Sequence, residues 1–581
     1  MWSFPCGNSP VIENNFTLFQ VLLLFFVGTL FLVNYVFILV QDLEEMMSTI
    51  NRRGQVITLV ISCLGTFMVL LDNSIVVLAL PTIQASLHAN LSDLQWTIDA
   101  YTLPFGALLL IAGTLGDRFG RKRLFLIGLV LFLIGSVLCG FASTLGWLIF
   151  GRVVQGAGGA ALSPGSLSLL AAAFPEPRSR AQVIGIWSGF SGLALAAGPL
   201  VGGLLIQVAS WPAIFFVNLP VGLVALVLGW LSLTDSRNPG AQRIDLPGQV
   251  LVAGGLTCLI MALIESSSLG WTSPVILGLF SGTVVLLTAF LLVEARVREP
   301  LLPLRLFRSR LFSAASFATV VLSFVVLGVV FFLAQFFQAV QGSTALVAGM
   351  QTLPVTVGTF LAAPFAGQLT ARTTPRLPTV LGTLIAAGAL FLLTDLSPVS
   401  SFASIWWKLG LLGIGIGFTF SPLTVAVLAA TPQARAGLAS SLLSTSRQIG
   451  ASLGVAVLGT FVLQQFSGNI VSQLAQRGVA GPVGARIASK IASAGAQASQ
   501  IPVSGRLPLS PAALHQAIGQ AFVDALRGSF LISGIALLAT ALLVMLLFPQ
   551  KQRASRVSAE STDAHVTTDI PAMQPVAAEE S

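Results

Sequence analysis

Residues 113–124 read GTLGDRFGRKRL and place a short charged loop between two long apolar runs, 94–116 and 124–143. Each run has the roughly 20 apolar residues that a helix needs to cross a bilayer. Basic residues collect in loops on the cytoplasmic side of a membrane. The stretch therefore predicts two transmembrane helices joined by a cytoplasmic loop.

The whole chain has the composition of a polytopic membrane protein. Its 581 residues are 55% hydrophobic and only 9% charged, whereas soluble domains carry about 25% charged residues. The net charge of +8 is spread too thinly for a nucleic-acid surface. The four cysteines show no CxxC pair and no metal-ligand spacing. We therefore expect no nucleic-acid partner, no disulfide framework and no metal site.

Fifteen apolar runs are long enough to span a membrane as helices. Backbone groups in hydrocarbon must form their own hydrogen bonds, so the predicted fold class is an all-α bundle. The runs are 16–40, 55–81, 94–116, 124–143, 145–173, 181–209, 211–233, 246–264, 274–294, 311–340, 346–371, 378–394, 402–430, 438–466 and 529–548.

The loops alternate between basic and uncharged or acidic. The loop 117–123 is basic, whereas 82–93 contains no Lys or Arg. The positive-inside rule places 117–123 and a disordered tail, 549–581, in the cytoplasm and the long loop 467–528 outside. We expect a multi-pass protein of the cell (inner) membrane with a cytoplasmic C-terminus. Within the long loop, Ser510–Pro511 is typical of a helix start.

Residues 1–50 differ from the rest of the chain because they contain no Ala, Lys or Arg. Two interpretations stay open. Either 16–40 is an extra transmembrane helix, or translation begins at Met46 or Met47.

Short similarities recur along the chain at a nearly constant offset, which predicts a duplicated six-helix unit. The halves would be 51–233 and 311–548, with two inserted helices in 234–310. Repeated helical halves are typical of secondary transporters. The similarities are 113–124 with GQLTARTTPRL at 367–377, Ser163–Pro164 with Ser421–Pro422, and PRSRA at 177–181 with PQARA at 432–436, at offsets of 254, 258 and 255.

Six motifs in order resemble the 14-helix drug:proton antiporter branch of the major facilitator superfamily. The resemblance covers residues 52–550 and implies a monomeric multidrug efflux transporter rather than an enzyme. Its partners would be lipophilic, cationic small molecules, protons and membrane lipids, with a proton gradient instead of a cofactor. The motifs are GTLGDRFGRKRL, LDNSIVVLALP at 71–81, LIFGRVVQGAGGA at 148–160, GLALAAGPLVGG at 192–203, SWPAIFFVNLPVG at 210–222 and GLASSLLSTSRQIGASLG at 437–454.

Two acidic residues, Asp72 and Asp99, stand inside apolar runs, where an ionised carboxylate is costly. At 1.5 Å per residue they lie about 28 and about 27 Å from the same membrane edge. Two acids at this depth would resist being ionised together, which predicts a coupled pair that holds a proton or a cationic substrate. The alternative is a packing role, with hydrogen bonds to Asn73, Thr97 or Thr102.

Two arginines also fall within spans. Arg152 is at a height that allows contact with Asp72 and Asp99, and the resemblance implies a role in proton coupling. The alternative is a structural arginine held by backbone carbonyls. For Arg447 we favour the structural role.

The loop motif predicts a conformational latch on the cytoplasmic side. Asp117 can pair with Arg121 or meet a neighbouring helix terminus, where the helix dipole favours negative charge. The plainer interpretation is membrane anchoring by basic residues. The candidate latch residues are Gly113, Gly116, Asp117, Arg118, Gly120, Arg121 and Lys122.

In the helix-five antiporter motif, a proline next to closely spaced glycines predicts a bent helix packed against the other half. Its residues are Gly198, Pro199, Gly202 and Gly203.

Aromatic side chains are candidates to line the substrate route, although core or lipid packing explains each of them as well. They are Trp96, Tyr101, Trp187, Phe331 and Phe336.

Three other functions would each fit part of the sequence. GFSG at 189–192 matches an intramembrane serine-protease motif, but no histidine lies in any span to serve as its base. A non-transporting sensor or scaffold would have no use for costly buried charges. A carrier of lipids, siderophores or metabolites stays open. No GxxxxGK[ST] loop is present, so energy would come from an ion gradient.

Overall fold

The computed structural model describes residues 52–89, 91–236, 245–297, 302–477, 479 and 511–550. Within these ranges the chain forms helices and no strand. Two 3-10 turns, Leu304–Arg308 and Gln433–Arg435, precede α10 and α14, and a π turn, Phe336–Val340, extends α10. The helices are α1 Arg52–Leu87, α2 Leu91–Phe119, α3 Arg121–Gly140, α4 Leu145–Ala173, α5 Pro177–Val208, α6 Ala213–Phe216, α7 Asn218–Ser232, α8 Leu246–Leu269, α9 Pro274–Arg296, α10 Arg310–Gln335, α11 Ala345–Arg372, α12 Arg376–Leu393, α13 Phe402–Ala429, α14 Ala436–Gln476 and α15 Pro511–Leu547.

Thirteen described segments are long and apolar enough to cross a membrane. Helix α5, with 32 residues, runs through the same bundle against α1 and α11. The all-α membrane fold predicted from hydropathy is therefore confirmed. The predicted span 211–233 is divided into α6 and α7. The run 16–40 and the tail 551–581 lie outside the described residues.

The predicted loop 467–528 is partly helical. Helix α14 continues to Gln476, and α15 begins at Pro511 rather than at residue 529. Asp524 accepts hydrogen bonds from Gln520 Nε2 and Arg527 Nη1, both at 3.0 Å. Such i,i+3 and i,i+4 pairs stabilise helical segments that are too polar for hydropathy to detect. The helix start predicted at Ser510–Pro511 is confirmed.

The helix pairs that join the N-terminal half (α1–α7) to the C-terminal half (α10–α15) include α2 with α14 and α5 with α11. Glycine permits both close approaches. A Cβ atom on Gly113 would collide with the Gly437 carbonyl at the start of α14, and one on Gly367 would lie 2.7 Å from the Ala181 carbonyl near the start of α5. Gly113 and Gly367 are the positions that the sequence repeat relates.

The inserted helices lie beside one of these crossings. Helix α9 packs on α8, and α8 contacts both α2 and α14. In the turn between them, Trp271 Nε1 donates a 2.7 Å hydrogen bond to Thr460 Oγ1 of α14. The inserted helices therefore contact both halves, and the Trp271–Thr460 hydrogen bond joins them to the C-terminal half.

Candidate proton and substrate site

Asp72 lies in a buried polar network inside the N-terminal half, and its exposed fraction is 0%. Its Oδ2 accepts a 2.5 Å hydrogen bond from Arg152 Nη1. Its Oδ1 accepts from Gln155 Nε2 at 2.7 Å and from Asn218 Nδ2 at 3.0 Å. Helices α1, α4 and α7 therefore meet at one carboxylate, and the expected contact of Arg152 with Asp72 is present.

Arg152 has acceptors besides Asp72. Its Nη1 also donates to Gln155 Oε1 at 2.7 Å, and its Nε donates to the Thr97 carbonyl at 3.2 Å. The guanidinium carbon lies 4.3 Å from the centre of the Tyr101 ring, a cation–π distance. The guanidinium therefore contacts both the acid and a backbone carbonyl. The first contact fits a role in proton coupling, and the second fits a structural arginine.

The two amides of the network share a further acceptor. Gln155 Nε2 and Asn218 Nδ2 lie 2.9 and 3.2 Å from Ser136 Oγ on α3. Asn218 Oδ1 is buried and has no hydrogen-bond partner among the described residues. Because an amide carries a donor and an acceptor at its two ends, rotating Asn218 by half a turn would present an acceptor to a protonated Asp72. The network therefore offers Asp72 hydrogen-bond donors and, after that rotation, an acceptor as well.

Asp99 lies apart from this network, so the predicted pairing of Asp72 with Asp99 is wrong. The carboxylate that repels an ionised Asp99 belongs to Glu265 on α8. A helix turns about 100° per residue. Asp99 consequently points away from the side of α2 on which Tyr101 contacts Arg152. It shares its face instead with Gly106, which packs against Ile260 of α8 and Gln448 of α14.

The threonines considered as partners of the acids bond elsewhere. Thr97 Oγ1 donates to the Asp93 carbonyl and Thr102 Oγ1 to the Ile98 carbonyl, both within α2. In this structure the two hydroxyls thus donate within their own helix and not to either acid.

Asp117 connects the two halves at the face that bears residues 113–124. Its Oδ1 accepts from Arg121 Nε at 3.0 Å and Nη2 at 2.8 Å. The same carboxylate accepts 3.0 Å hydrogen bonds from the backbone N–H groups of Gly437 and Leu438, in the first turn of α14. Arg121 Nη2 also donates to the Gln433 carbonyl at 3.0 Å. Both predicted contacts of Asp117, with Arg121 and with a helix terminus, occur together.

Gly113 faces α14 of the other half, whereas the contacts of the remaining latch candidates described next lie within the N-terminal half. Lys122 Nζ donates to the carbonyls of Trp230 and Leu233 at 2.8 and 2.6 Å, at the end of α7. Arg118 lies over the Phe119 ring at 5.3 Å. A Cβ atom on Gly116 would lie 3.2 Å from Leu124 Cδ2, and Gly120 has φ 110°. These residues shape the turn between α2 and α3.

The glycines of the helix-five motif pack mainly within their own half, which corrects the expectation of contact with the other one. A Cβ atom on Gly198 would collide with Ser74 of α1, and one on Gly202 would lie 2.7 Å from Ile75 Cγ1. Of the three, Gly203 faces the other half, at Leu346 of α11. The side chain of Pro199 lies outside the described residues.

The aromatic candidates do not form one group. Tyr101 and Phe336 are fully buried, and Trp187 is 2% exposed, whereas Trp96 and Phe331 are 42% and 41% exposed. Tyr101 belongs to the Asp72 network and Phe336 to the hydrophobic core. Trp187 faces Arg447 across the halves, with its ring centre 5.4 Å from the guanidinium carbon.

Comparison with known proteins tests the resemblance. The model of the Major Facilitator Superfamily matches residues 62–455, well over half of the chain. The chain belongs to the major facilitator superfamily.

Several relatives within the superfamily are resistance proteins. The chain is 36% identical over 489 residues to the tetracenomycin C resistance and export protein of Streptomyces glaucescens, covering 83% of this chain and 90% of the relative. It is 35% identical over 441 residues to the multidrug resistance protein Stp of Mycobacterium tuberculosis, covering 76% and 82%. The chain is thus a transporter, not an enzyme, related to drug and antibiotic exporters.

Solved structures agree with the superfamily fold. The proton:xylose symporter XylE aligns with a TM-score of 0.55 and 14% identity, covering 86% of this chain and 97% of that chain. At this identity the likeness concerns the fold alone.

Sequence reasoning missed three polar residues of this superfamily member, Ser136, Gln155 and Asn218. A signal was available, because each is a polar residue within an apolar run. It also assigned the cross-half contacts of α5 to other glycines than those that make most of them. A Cβ atom on Gly185 or on Gly189 would lie 2.9 Å from a carbonyl of α11.

Proposed function

We propose that the protein exports lipophilic compounds, including cations, in exchange for protons by alternating access. The observation that carries this proposal is the buried Asp72–Arg152 pair. Each side chain that donates a hydrogen bond to Asp72 also donates to a second acceptor, either Gln155 Oε1 or Ser136 Oγ. If Asp72 takes a proton, these second acceptors keep its neighbours hydrogen-bonded, and the cost that remains is the charge of Arg152 without a counter-ion.

Protonation of Asp72 from outside would free Arg152 to stay with Gln155 and Thr97, and a rotated Asn218 would accept the new hydrogen bond. This rearrangement lies at the junction of α1, α4 and α7. It would favour rocking of the halves, as in other repeat-built transporters. Proton loss to the cytoplasm would restore the charged pair.

Cation preference is attributed to Asp99. It is 6% exposed, and the nearby carboxyl of Glu265 opposes its ionisation, so a bound cation would favour the ionised form of Asp99. Two acids on α2 and α8 would attract a lipophilic cation and oppose an anion at that position.

Proteoliposomes test the proton coupling. An imposed pH gradient should drive ethidium transport by the natural chain, and an uncoupler should stop it. Asp72→Asn should abolish both transport and the proton release that ethidium addition causes. Retention of that proton release in Asp72→Asn would contradict the coupling role.

A second comparison tests Asp99. Asp99→Asn should reduce transport of cationic ethidium several-fold more than transport of neutral Nile red. An equal loss for both probes would rule out direct recognition of the cation. Absence of transport for every dye, in a folded protein, would instead favour a lipid, siderophore or metabolite as cargo.

A further inference from the structure

Arg447 is a cationic side chain where the two halves meet. It follows the start of α14 by eleven residues, about 16 Å along the helix axis. Its guanidinium carbon lies 4.0 Å from the Phe420 ring centre on α13 and 5.4 Å from that of Trp187 on α5. One turn earlier, Ser444 Oγ lies 3.3 Å from Ser163 Oγ of the other half. The guanidinium therefore lies between rings contributed by both halves.

The charge of Arg447 is not matched within the described part of the chain. No described carboxylate oxygen lies within 4.0 Å of it, whereas Arg121, Arg152 and Arg527 each form such an ion pair. Its Nη2 donates a 2.7 Å hydrogen bond to Thr424 Oγ1. Its Nε is buried and has no hydrogen-bond partner in the described residues.

An unmatched cation with a free donor at membrane depth is costly. Aromatic faces recover part of that cost, but they leave the N–H groups unsatisfied. A bound oxyanion would satisfy them, because adjacent guanidinium N–H groups match two oxygens of a carboxylate or sulfonate. The flanking rings of Trp187 and Phe420 would contact a flat apolar body attached to that anion.

We propose that Arg447 forms an anion-recognising subsite where the two halves meet and admits lipophilic aromatic compounds that bear an acidic group. This inference rests on the proposed export function and extends its substrates to acids and zwitterions. The Nε and a neighbouring Nη donate to the anionic oxygens, Trp187 and Phe420 hold the ring, and Thr424 orients the guanidinium. A zwitterion long enough to reach both places would meet Arg447 with its acid and Asp99 with its cation.

The test uses two probes of nearly equal shape, naphthalene-1-sulfonate and its neutral amide, naphthalene-1-sulfonamide. Binding of each to the purified full chain is measured by titration calorimetry in detergent without a proton gradient. The natural chain should bind the sulfonate more tightly. Arg447→Gln should lower sulfonate affinity at least tenfold and leave sulfonamide affinity unchanged, and Arg447→Lys should retain part of the preference.

Arg527→Gln is the matched control, because it removes a positive charge from the same half but away from the other half. It should leave both affinities unchanged.

Should Arg447→Gln fail to fold, Thr424→Val takes its place and should weaken sulfonate binding selectively. Equal affinity of the natural chain for both probes, binding of neither, or an equal loss of both in a folded Arg447 variant would overturn the proposal. Since no gradient is used, failure of proton-driven transport with sulfonate selectivity intact would refute the proposed function and leave this subsite standing.

Discussion

The carboxylate of Asp117 accepts a 3.0 Å hydrogen bond from the backbone N–H of Leu438, a residue 321 positions later in the chain. The first N–H groups of a helix have no partner within it, and the helix dipole attracts negative charge there. Asp117 supplies that charge to α14 while it pairs with Arg121. The related position 371 in the other half is an alanine, so a carboxylate stands at one of the two related crossings.

Removing this contact should open the face that bears residues 113–124. A hydrogen bond to a charged group is worth about 1.5–3 kcal/mol, so losing even one should shift the opening equilibrium about tenfold or more. In a chain with Ser444→Cys and its natural cysteines replaced, Asp117→Ala should therefore speed maleimide labelling of Cys at 444.

Asp235→Ala is the control for the latch, because Asp235 lies just after α7 and pairs at 3.1 Å with Arg123 of the N-terminal half, not with the C-terminal half. Its labelling rate should stay at the starting value. Unchanged labelling in Asp117→Ala would mean that the contact does not hold this face closed.

The Asp72–Arg152 pair should show strong energetic coupling. Removing one partner of a buried ion pair costs about 3–5 kcal/mol, because the other charge is left uncompensated. Asp72→Asn and Arg152→Gln should each lower the thermal midpoint of unfolding. The double variant should recover much of that loss, while proton release on ethidium addition stays absent. Additive effects of the two single changes would show that the pair is not coupled.

The α5–α11 crossing should not tolerate a side chain. In Gly185→Ala, the new Cβ atom would lie 2.9 Å from the Ala363 carbonyl and 3.0 Å from Gly367 Cα. Backbone atoms cannot yield as side-chain ends do, so the thermal midpoint and ethidium transport should both fall. Gly388→Ala is the matched control, because nothing lies within 4 Å of its Cβ position. Within a helix that change should be neutral or stabilise by roughly 0.5–1 kcal/mol. Equal behaviour of the two variants would refute the close contact.

Gly120 should be more sensitive than another glycine with positive φ. Both Gly120, at φ 110°, and Gly270, at φ 81°, adopt backbone conformations that cost a side-chain-bearing residue about 1–3 kcal/mol. A Cβ atom on Gly120 would also displace the Asp235 carboxylate, while the one on Gly270 meets open space. Thermal unfolding of the two alanine variants should therefore show the larger loss for Gly120→Ala, and a larger loss for Gly270→Ala would contradict this account.

Hydropathy alone locates most of the described helices and shows where charge is costly. Each membrane helix forms its backbone hydrogen bonds internally, so apolar length is enough to locate it. Ionisable residues in apolar runs, such as Asp72 and Arg152, are conspicuous in the sequence because a charge there is costly. Hydropathy did not predict polar helical segments such as 511–528, because it contains no information on hydrogen bonds between side chains along a helix.

Which side chains meet depends on how the helices pack. Asp72 and Asp99 have similar predicted depth, but depth does not specify the rotation of each helix about its axis. That rotation turns Asp72 toward Arg152, Gln155 and Asn218, and Asp99 toward α8. Side-chain partners depend on how helices distant in sequence pack together, which is information that no single span contains.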